Sequence, residues 1–599
     1  MVMADTQAVP VMRETGNPPW LLFGLAGLLQ GLLLWLLFDG SAWLREVLSP
    51  SLFVALLNVV LAVPLSLYLT QDIPGLSGRR RTGIVVGMAL LLALLGAHAG
   101  WVNDRDVIYH RFESYLSNGL LYAILGFTLI PLLAHVHWQG RVPRWSYAAL
   151  FETAWRNGLM TVLAAILTGI FWGVFGAGMG LLGILGLKDL VQHVFEGYVV
   201  WPLTMMAFGC AIALLLARSQ VLVTLRRFWL SLNQVFLPLL LLLAAVWAVA
   251  MLFTGITPLL ETNKAALFML WFIALAVHFV NTAWQDGEGE APFRRSLRNV
   301  MGWLWLILVL AAALAAWALY LRIDQHGWTR DRIWAALVLL LAVVYVAGYA
   351  ASLWQRGRRW FWSVAQTNIV AALLMCVALV LLLSPLLDPS RIAVNSQVAR
   401  LERGEVKPDE FDFYMLLEQS GRYGQQALTQ LAELSGSPAK EEIARLARKM
   451  QVNRGLTAVE DLPVRTDEEM LAALKILPGP AAMPPGAPEG LIAALRALSD
   501  TRTEQACLDG REECLLWPAD LNGDGRTDLM LIVDQKHWGQ VTIFSQDVES
   551  KRWQAVAEGI EVNAPWLEGM REGQARVVPS PWHNIEVEGR VMRLRSIDP

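Results

Sequence analysis

The sequence predicts a mainly α membrane protein, with about eleven transmembrane helices followed by an exported α+β soluble domain. Three observations carry that expectation. Of 599 residues, 55% are hydrophobic and only 17% charged, and the mean hydropathy is +0.45, far too apolar for a soluble globule of this size. The apolar residues fall into runs of the roughly 20 residues a spanning helix needs. Beyond residue 388 the pattern changes to amphipathic helices and then to short alternating strands. A net charge of -3 gives no basic footprint for nucleic acid, so the lipid bilayer is the expected partner.

Residues 1–19 read as a cytoplasmic tail and 20–388 as the membrane domain. Eleven runs lie near 20–38, 51–69, 83–102, 118–137, 158–180, 198–217, 235–254, 265–284, 301–321, 332–353 and 361–384. No small-residue cleavage site follows the first, which reads as a retained anchor. Alternate connections carry Arg79–Arg81, then Arg141, Arg144 and Arg156, then Arg218, Arg226 and Arg227, then Arg294, Arg295 and Arg298, then Arg356, Arg358 and Arg359. Short arginine-rich loops stay in the cytoplasm. The expected location is therefore a bacterial inner membrane with a cytoplasmic N-terminus and everything after Asp388 in the periplasm.

Three segments, WSYAALFETAWRNGLM, VLVTLRRFWLSLNQVF and FRRSLRNVMGWLWL, combine arginine with aromatics before a span. They read as amphipathic elbows at the interface, with Trp145, Trp155, Trp229 and Trp303 as headgroup anchors. The fifth span carries Gly169 and Gly173, then Gly176 and Gly180, a spacing that predicts close helix packing. Ionisable groups inside spans point to ion pathways, and here the candidates are few: His98, His135, His137 and His278, with Gln30, Asn58 and Asn281 as neutral polar groups. The outer loops hold Asp104, Asp106, His110 and Glu113, then His193 and Glu196, then Arg322, Asp324 and His326. His193 and Glu196, three apart, have a spacing compatible with metal ligation, against the alternative of ordinary loop polarity.

At LYLRIDQHGWTRDRIWA and YAALFETAWRNGLM, and again at RIAVNSQVARLERGEVKPDEFDFYMLLEQSGRYG, the chain resembles a bacterial multi-pass membrane family known as domain of unknown function 4153. The resemblance implies a polytopic membrane fold. It brings no activity and no catalytic residues.

The exported part divides into a helical subdomain over 389–477, a Pro/Gly-rich linker over 478–490 and a β-rich module over 491–599. The expected strands are LLWP, DLMLIV, VTIFSQ, RWQAVAEG, ARVVP and IEVEGRVMRLR. Between the first two runs DLNGDGRTDLMLI. Asp520, Asn522 and Asp524 offer side-chain oxygens at positions 1, 3 and 5, Arg526 a carbonyl, and Asp528 a carboxylate at position 9. Calcium takes six to eight oxygens in such a wrap. Leu531 stands where an EF-hand has its glutamate, and the loop looks like that of FG-GAP propeller repeats, although one copy builds no propeller. A structural calcium ion is expected, against the alternative of a plain hairpin turn. Cys507 and Cys514 close a short loop and, in an oxidising compartment, are expected to form a disulfide.

No nucleophile motif, phosphate loop or HExxH signature occurs. The reading is an envelope sensor or assembly scaffold whose calcium-braced exported domain meets an envelope protein or lipid. The alternatives are a transporter, channel or flippase-like body with a gating module, and an enzyme at the membrane surface.

Overall fold

The computed structural model describes residues 19–39, 47–103, 112–255, 265–287, 289, 292–353, 360–453, 468, 471, 474–477, 487–497, 513–534, 538–547, 551–577, 585–587 and 590–592. It contains eleven helices long and apolar enough to cross a membrane, the number the sequence predicts. In chain order these are α1 (Trp20–Phe38), α2 (Pro50–Thr70), α3 (Gly78–Val102), α4 (Phe112–His135), α5 (Tyr147–Ile184), α7 (Gly197–Ala217), α9 (Phe236–Thr254), α10 (Ala265–Trp284), α11 (Arg295–His326), α12 (Arg330–Ala350) and α13 (Val364–Leu382). Two shorter helices interleave, α6 (Lys188–Val194) and α8 (Ser219–Asn233), and a hairpin of β1 (His137–Gln139) and β2 (Val142–Arg144) precedes α5. Ser49, Ser77, Ser146 and Thr329 cap α2, α3, α5 and α12, each accepting a backbone N–H that the first turn leaves orphaned.

The first and third expected elbows are not separate helices. Nothing breaks the chain between Tyr147 and Ile184, so the elbow and its span fuse into one helix of 38 residues, about 57 Å long. The third fuses in the same way into α11. Only α8 stands apart, turning into α9 at Gln234 and Val235. Trp229 and Trp303 are exposed on α8 and α11, whereas Trp145 donates its indole N–H to the Leu132 carbonyl at 2.9 Å.

The glycine expectation also moves. A Cβ added at Gly169, Gly173, Gly176 or Gly180 meets no described atom within 4 Å, so this stripe packs against nothing described. Close packing occurs elsewhere. At Gly27 a Cβ would lie 2.6 Å from the Met205 carbonyl carbon, and at Gly31 2.6 Å from Pro202 N, which brings α1 onto α7. Gly96 and Gly100 do the same for α3 on α2: a Cβ at Gly100 would sit 2.7 Å from the Pro50 carbonyl carbon and 2.8 Å from Ser51 Cα. These are the small-residue contacts that hold helices together where lipid removes the hydrophobic drive.

Among the described residues the spans build two large cores and a smaller one, of Leu34, Leu37, Phe53, Val54 and Leu57 on α1 and α2. The first collects Phe23, Leu69, Met88, Leu125, Met160 and Ile212 from α1–α5 and α7, with Leu379 of α13 joining. The second collects Leu241, Ile273, Trp305, Val346 and Val364 from α9–α13. The chain divides into compact units at Glu442/Ile443, so α14 (Pro389–Glu402) and α15 (Gly421–Ala432) belong with the spans rather than with the rest of the expected helical subdomain. The division falls within α16 (Pro438–Asn453).

The second unit is α+β. A five-stranded sheet runs in the order β3 (Lys475–Ile476), β4 (Glu513–Ala519), β5 (Asp528–Asp534), β6 (Trp538–Gln546), β7 (Trp553–Asn563), with β3 parallel to β4 and the other pairs antiparallel. Lys475–Ile476 lies in a segment the sequence assigns to helix, and 575–577 of the expected strand ARVVP carries no strand. The expected linker ends in the first turn of α17 (Ala487–Ala497), because PEGLIAALRAL is amphipathic and buries Leu491 and Leu495 against Leu529, Leu531 and Phe544. Helix α18 (Ala564–Arg571) covers the other face, with Leu567 and Met570 against Leu515, Met530 and Ile532. Alternate β5 residues thus feed opposite cores, and the central strand is buried throughout. A short hairpin, β8 (Ile585–Val587) with β9 (Arg590–Met592), completes the described chain.

Candidate functional site

The register that pairs Ala519 with Asp528 makes 520–527 the connection between β4 and β5. Gly523 and Gly525 both adopt positive φ, +77° and +79°, which side chains disfavour. The loop then winds around its own polar groups. Asp520 accepts from Gly523 N at 2.7 Å and Gly525 N at 2.9 Å, Asn522 from Asp524 N at 2.8 Å, and Asp524 from Arg526 N at 2.8 Å. Asp528, 2% exposed, accepts from Leu521 N through one oxygen at 3.0 Å, while its Oδ1 is buried with no hydrogen-bond partner. All five predicted oxygen donors therefore share one turn. Among the described residues no three His, Cys, Asp or Glu side chains are gathered as a metal cluster. The donor set suits a hard, oxygen-seeking cation, and the orphaned Asp528 Oδ1 is the atom a cation would satisfy. Cys514 is buried in β4, and Cys507 lies outside the described residues.

Within the bundle, most polar groups the sequence singles out are held in fixed contacts. Asn281 belongs to a closed neutral network that joins α5, α10, α12 and α13. Tyr147 donates to Asn281 Oδ1 (3.3 Å), Asn281 Nδ2 meets the Tyr349 hydroxyl (3.0 Å), Tyr349 donates to Asn368 Oδ1 (2.6 Å), and Asn368 Nδ2 returns to Tyr147 (2.7 Å) and to Asn281 Oδ1 (2.6 Å). His135, the last residue of α4, is buried, 2.7 Å from Thr153 Oγ1. His98 pairs with Asp388 at 2.7 Å, both nearly sealed from solvent, and Asp388 also caps α14 through Ser390 N and Arg391 N. His278 is exposed beside Phe279 on α10.

Among the described residues, those of the outer loops form no metal-type cluster. His193 donates from Nδ1 to its own helix at Asp189 O, 2.8 Å away, and Glu196 is exposed at the start of α7. Asp104, Asp106 and His110 lie outside the described residues, and of Glu113 only the helical backbone is described. The turn after Arg322, Asp324 and His326 is where α14 docks. Arg332 donates to Gly327 O at 2.7 Å, Arg400 to Gln325 O at 2.7 Å, and Gln397 to His326 O and Trp328 O at 2.9 Å each.

Sequence reasoning missed two groups. Arg156 reaches under α2 to the carbonyls of Leu69 (3.0 Å) and Gln71 (3.1 Å), where a helix C-terminus leaves acceptors unfilled. Asp388 reads as a helix cap before a proline, but nothing in the sequence pairs it with His98, 290 residues away.

No curated protein and no solved structure matches the chain. A match to the family described as Domain of unknown function (DUF4153) covers residues 28–434, more than half of the chain, and ends close to the boundary of the first compact unit. It runs from the middle of α1 through the remaining spans and the docking turn after α11 to α14 and α15. The chain therefore belongs to the DUF4153 family of multi-pass membrane proteins of unknown function.

Proposed function

We propose that this protein is a bacterial inner-membrane scaffold or sensor. In this reading the bundle anchors it, the arginine-rich loops face the cytoplasm, and the C-terminal unit stands in the periplasm, braced by calcium at Asp520, Asn522, Asp524, Arg526 and Asp528 and by a Cys507–Cys514 disulfide. The observation that carries the reading is the closed ring of Tyr147, Asn281, Tyr349 and Asn368. It joins the starts of α5 and α13 to the ends of α10 and α12, it is neutral, and it satisfies its hydrogen bonds within the protein. An ion-coupled transporter calls for ionised groups exposed in turn to either side. Here the ionisable groups His98, Asp388, Arg156 and Arg400 are engaged in contacts near helix ends. When bound, a calcium ion would link the oxygens of the turn across the β4–β5 junction, a structural role.

The test uses the full chain in sealed vesicles, with its cysteines replaced and single cysteines placed at Ala276 or Ala371, both fully packed. A water-soluble thiol reagent should fail to reach either position from either side. Labelling from both sides would overturn the scaffold in favour of transport. In spheroplasts, an impermeant protease should cut within 478–490, and protection there would overturn the orientation.

A further inference from the structure

A cavity of about 230 Å³ lies among α1, α2, α3, α4 and α7. It exists because one face of α4 is bare: Gly119, Ala123 and Gly126 follow each other at helical spacing and leave the volume that larger side chains would fill. Leu61, 41% exposed, stands at its rim. Leu61 is the twelfth residue of the 21 in α2, about 16 Å along a helix that crosses a hydrocarbon layer of about 30 Å. The cavity therefore opens near the bilayer centre.

Its wall is apolar apart from a few neutral groups, and no charged residue lines it. Three of the polar groups are already used. Asn58 donates to Leu92 O (2.9 Å), Tyr68 to Phe23 O (3.2 Å) and Tyr122 to Leu95 O (3.4 Å). Gln30 differs: it is 92% buried at the middle of α1, lines the cavity, and its amide makes no hydrogen bond to any described residue. A buried amide in a membrane is costly unless something in the cavity answers it. An empty apolar cavity of about 150 Å³ already takes a benzene-sized guest, and this one is larger.

We propose that the cavity binds a neutral membrane lipid, its hydrocarbon chain entering beside Leu61 and lying along the bare face of α4, with an uncharged hydroxyl or carbonyl oxygen hydrogen-bonded to Gln30. Charged headgroups are excluded, because the site offers no counter-charge and lies where ions are expensive. Two sources supply this chemistry, a long-chain alcohol and a glyceride ester. The site belongs to the spans alone and holds whichever role the C-terminal unit plays.

Photo-crosslinking of the purified full-length chain tests it, with three diazirine probes: a long-chain alcohol, a diacylglycerol and a plain alkane. Peptide mapping should place label on Gly119, Ala123, Gly126 and Leu61 in excess over Leu120, which is 62% exposed and serves as the bulk-lipid reference. Ala123→Phe should reduce the excess to the reference level. Gln30→Leu should weaken labelling by the oxygen-bearing probes about five- to tenfold, the weight of one hydrogen bond, and leave the alkane unchanged. Whichever oxygen-bearing probe is displaced by less of its unlabelled form identifies the source. Competition on the unaltered chain needs no variant to fold. Labelling no higher than at Leu120, or an excess that unlabelled alcohol and diacylglycerol both fail to displace, would overturn the proposal.

Discussion

Replacing Gly100 by alanine should destabilise the bundle, while the same change at Gly173 should not. The added methyl at Gly100 would lie 2.7 Å from the Pro50 carbonyl carbon and 2.8 Å from Ser51 Cα, both backbone atoms that no rotamer change can move. Carbon atoms rest at about 3.5–4.0 Å, so α3 must retreat from α2 by about 1 Å. Overpacking of this kind costs about 1–3 kcal/mol. At Gly173 the methyl enters open space among the described residues, and alanine's helix preference is worth about 0.5–1 kcal/mol in its favour. Both glycines lie inside helices, so that preference cancels between them and the two variants should differ by about 1–3 kcal/mol. The buried thiol of Cys376 reports unfolding directly, through a fluorogenic maleimide added during a thermal ramp in detergent. Gly100→Ala should unmask it at lower temperature than the parent, and Gly173→Ala at the same temperature or higher. Equal losses, or a larger loss at Gly173, would show that the α5 glycines pack tightly after all and refute the assignment.

His98→Leu leaves the Asp388 carboxylate with only the N–H groups of Ser390 and Arg391, so it should cost about 3–5 kcal/mol, and adding Asp388→Asn should recover part of that in the same thermal assay. In the C-terminal unit, burial pushes the Glu513 carboxyl up, but Lys475 and Arg571 outweigh it and hold the carboxyl below its ordinary value of 4.5. A depressed carboxyl stabilises the fold above that ordinary value and loses the contribution as pH falls through the lowered one. Acid titration should therefore weaken this unit below pH 4.5, and Glu513→Gln should flatten that part of the curve. Calcium, at an affinity of roughly 0.1–1 mM for an extracellular-type loop, should raise the unit's melting transition. A tenfold excess over Kd is worth about 1.4 kcal/mol, and a full chain with no shift, or an Asp524→Ala variant that shifts equally, would leave the loop a plain turn. Thiol counting on unreduced, denatured protein should find Cys210 and Cys376 alone, and four reactive thiols would remove the bridge.

What the sequence made legible, and what it did not, follows from the solvent. Span number comes through because crossing the bilayer demands length and apolarity, and the eleven long helices declare both. The five-stranded sheet is partly legible, since LMLIV at the centre of β5 is a continuous apolar run, the mark of a strand buried on both faces. The covering helix APWLEGMR and the strand pair at Lys475–Ile476 escape, being short and decided by tertiary contact. The calcium-type turn is legible because its donors are local, whereas the His98–Asp388 pair joins residues 290 apart and leaves no local trace.

Facing is the property that stays hidden, and α5 shows why. Its Met160, Ala164 and Thr168 are buried while Val162, Ile166, Ile170 and Val174 are more than half exposed, yet both sets are apolar or small. In water the exposed set would be polar and the helix would announce its inner face by periodicity. In lipid both faces satisfy the same solvent, so periodicity is silent, and glycine spacing tempts one to choose a face. The glycines at 27, 31, 96 and 100 differ from those at 169, 173, 176 and 180 only in what stands opposite them. A small residue permits close approach but does not cause it. The contact exists at Gly100 because α2 and α3, joined by a short connection, must lie side by side, and at Gly31 because α1 and α7 meet there. On α4 the same permissiveness, with no helix filling the space, leaves a cavity instead. One residue type thus yields a helix contact, an open face or a binding volume, and the neighbouring helix decides which.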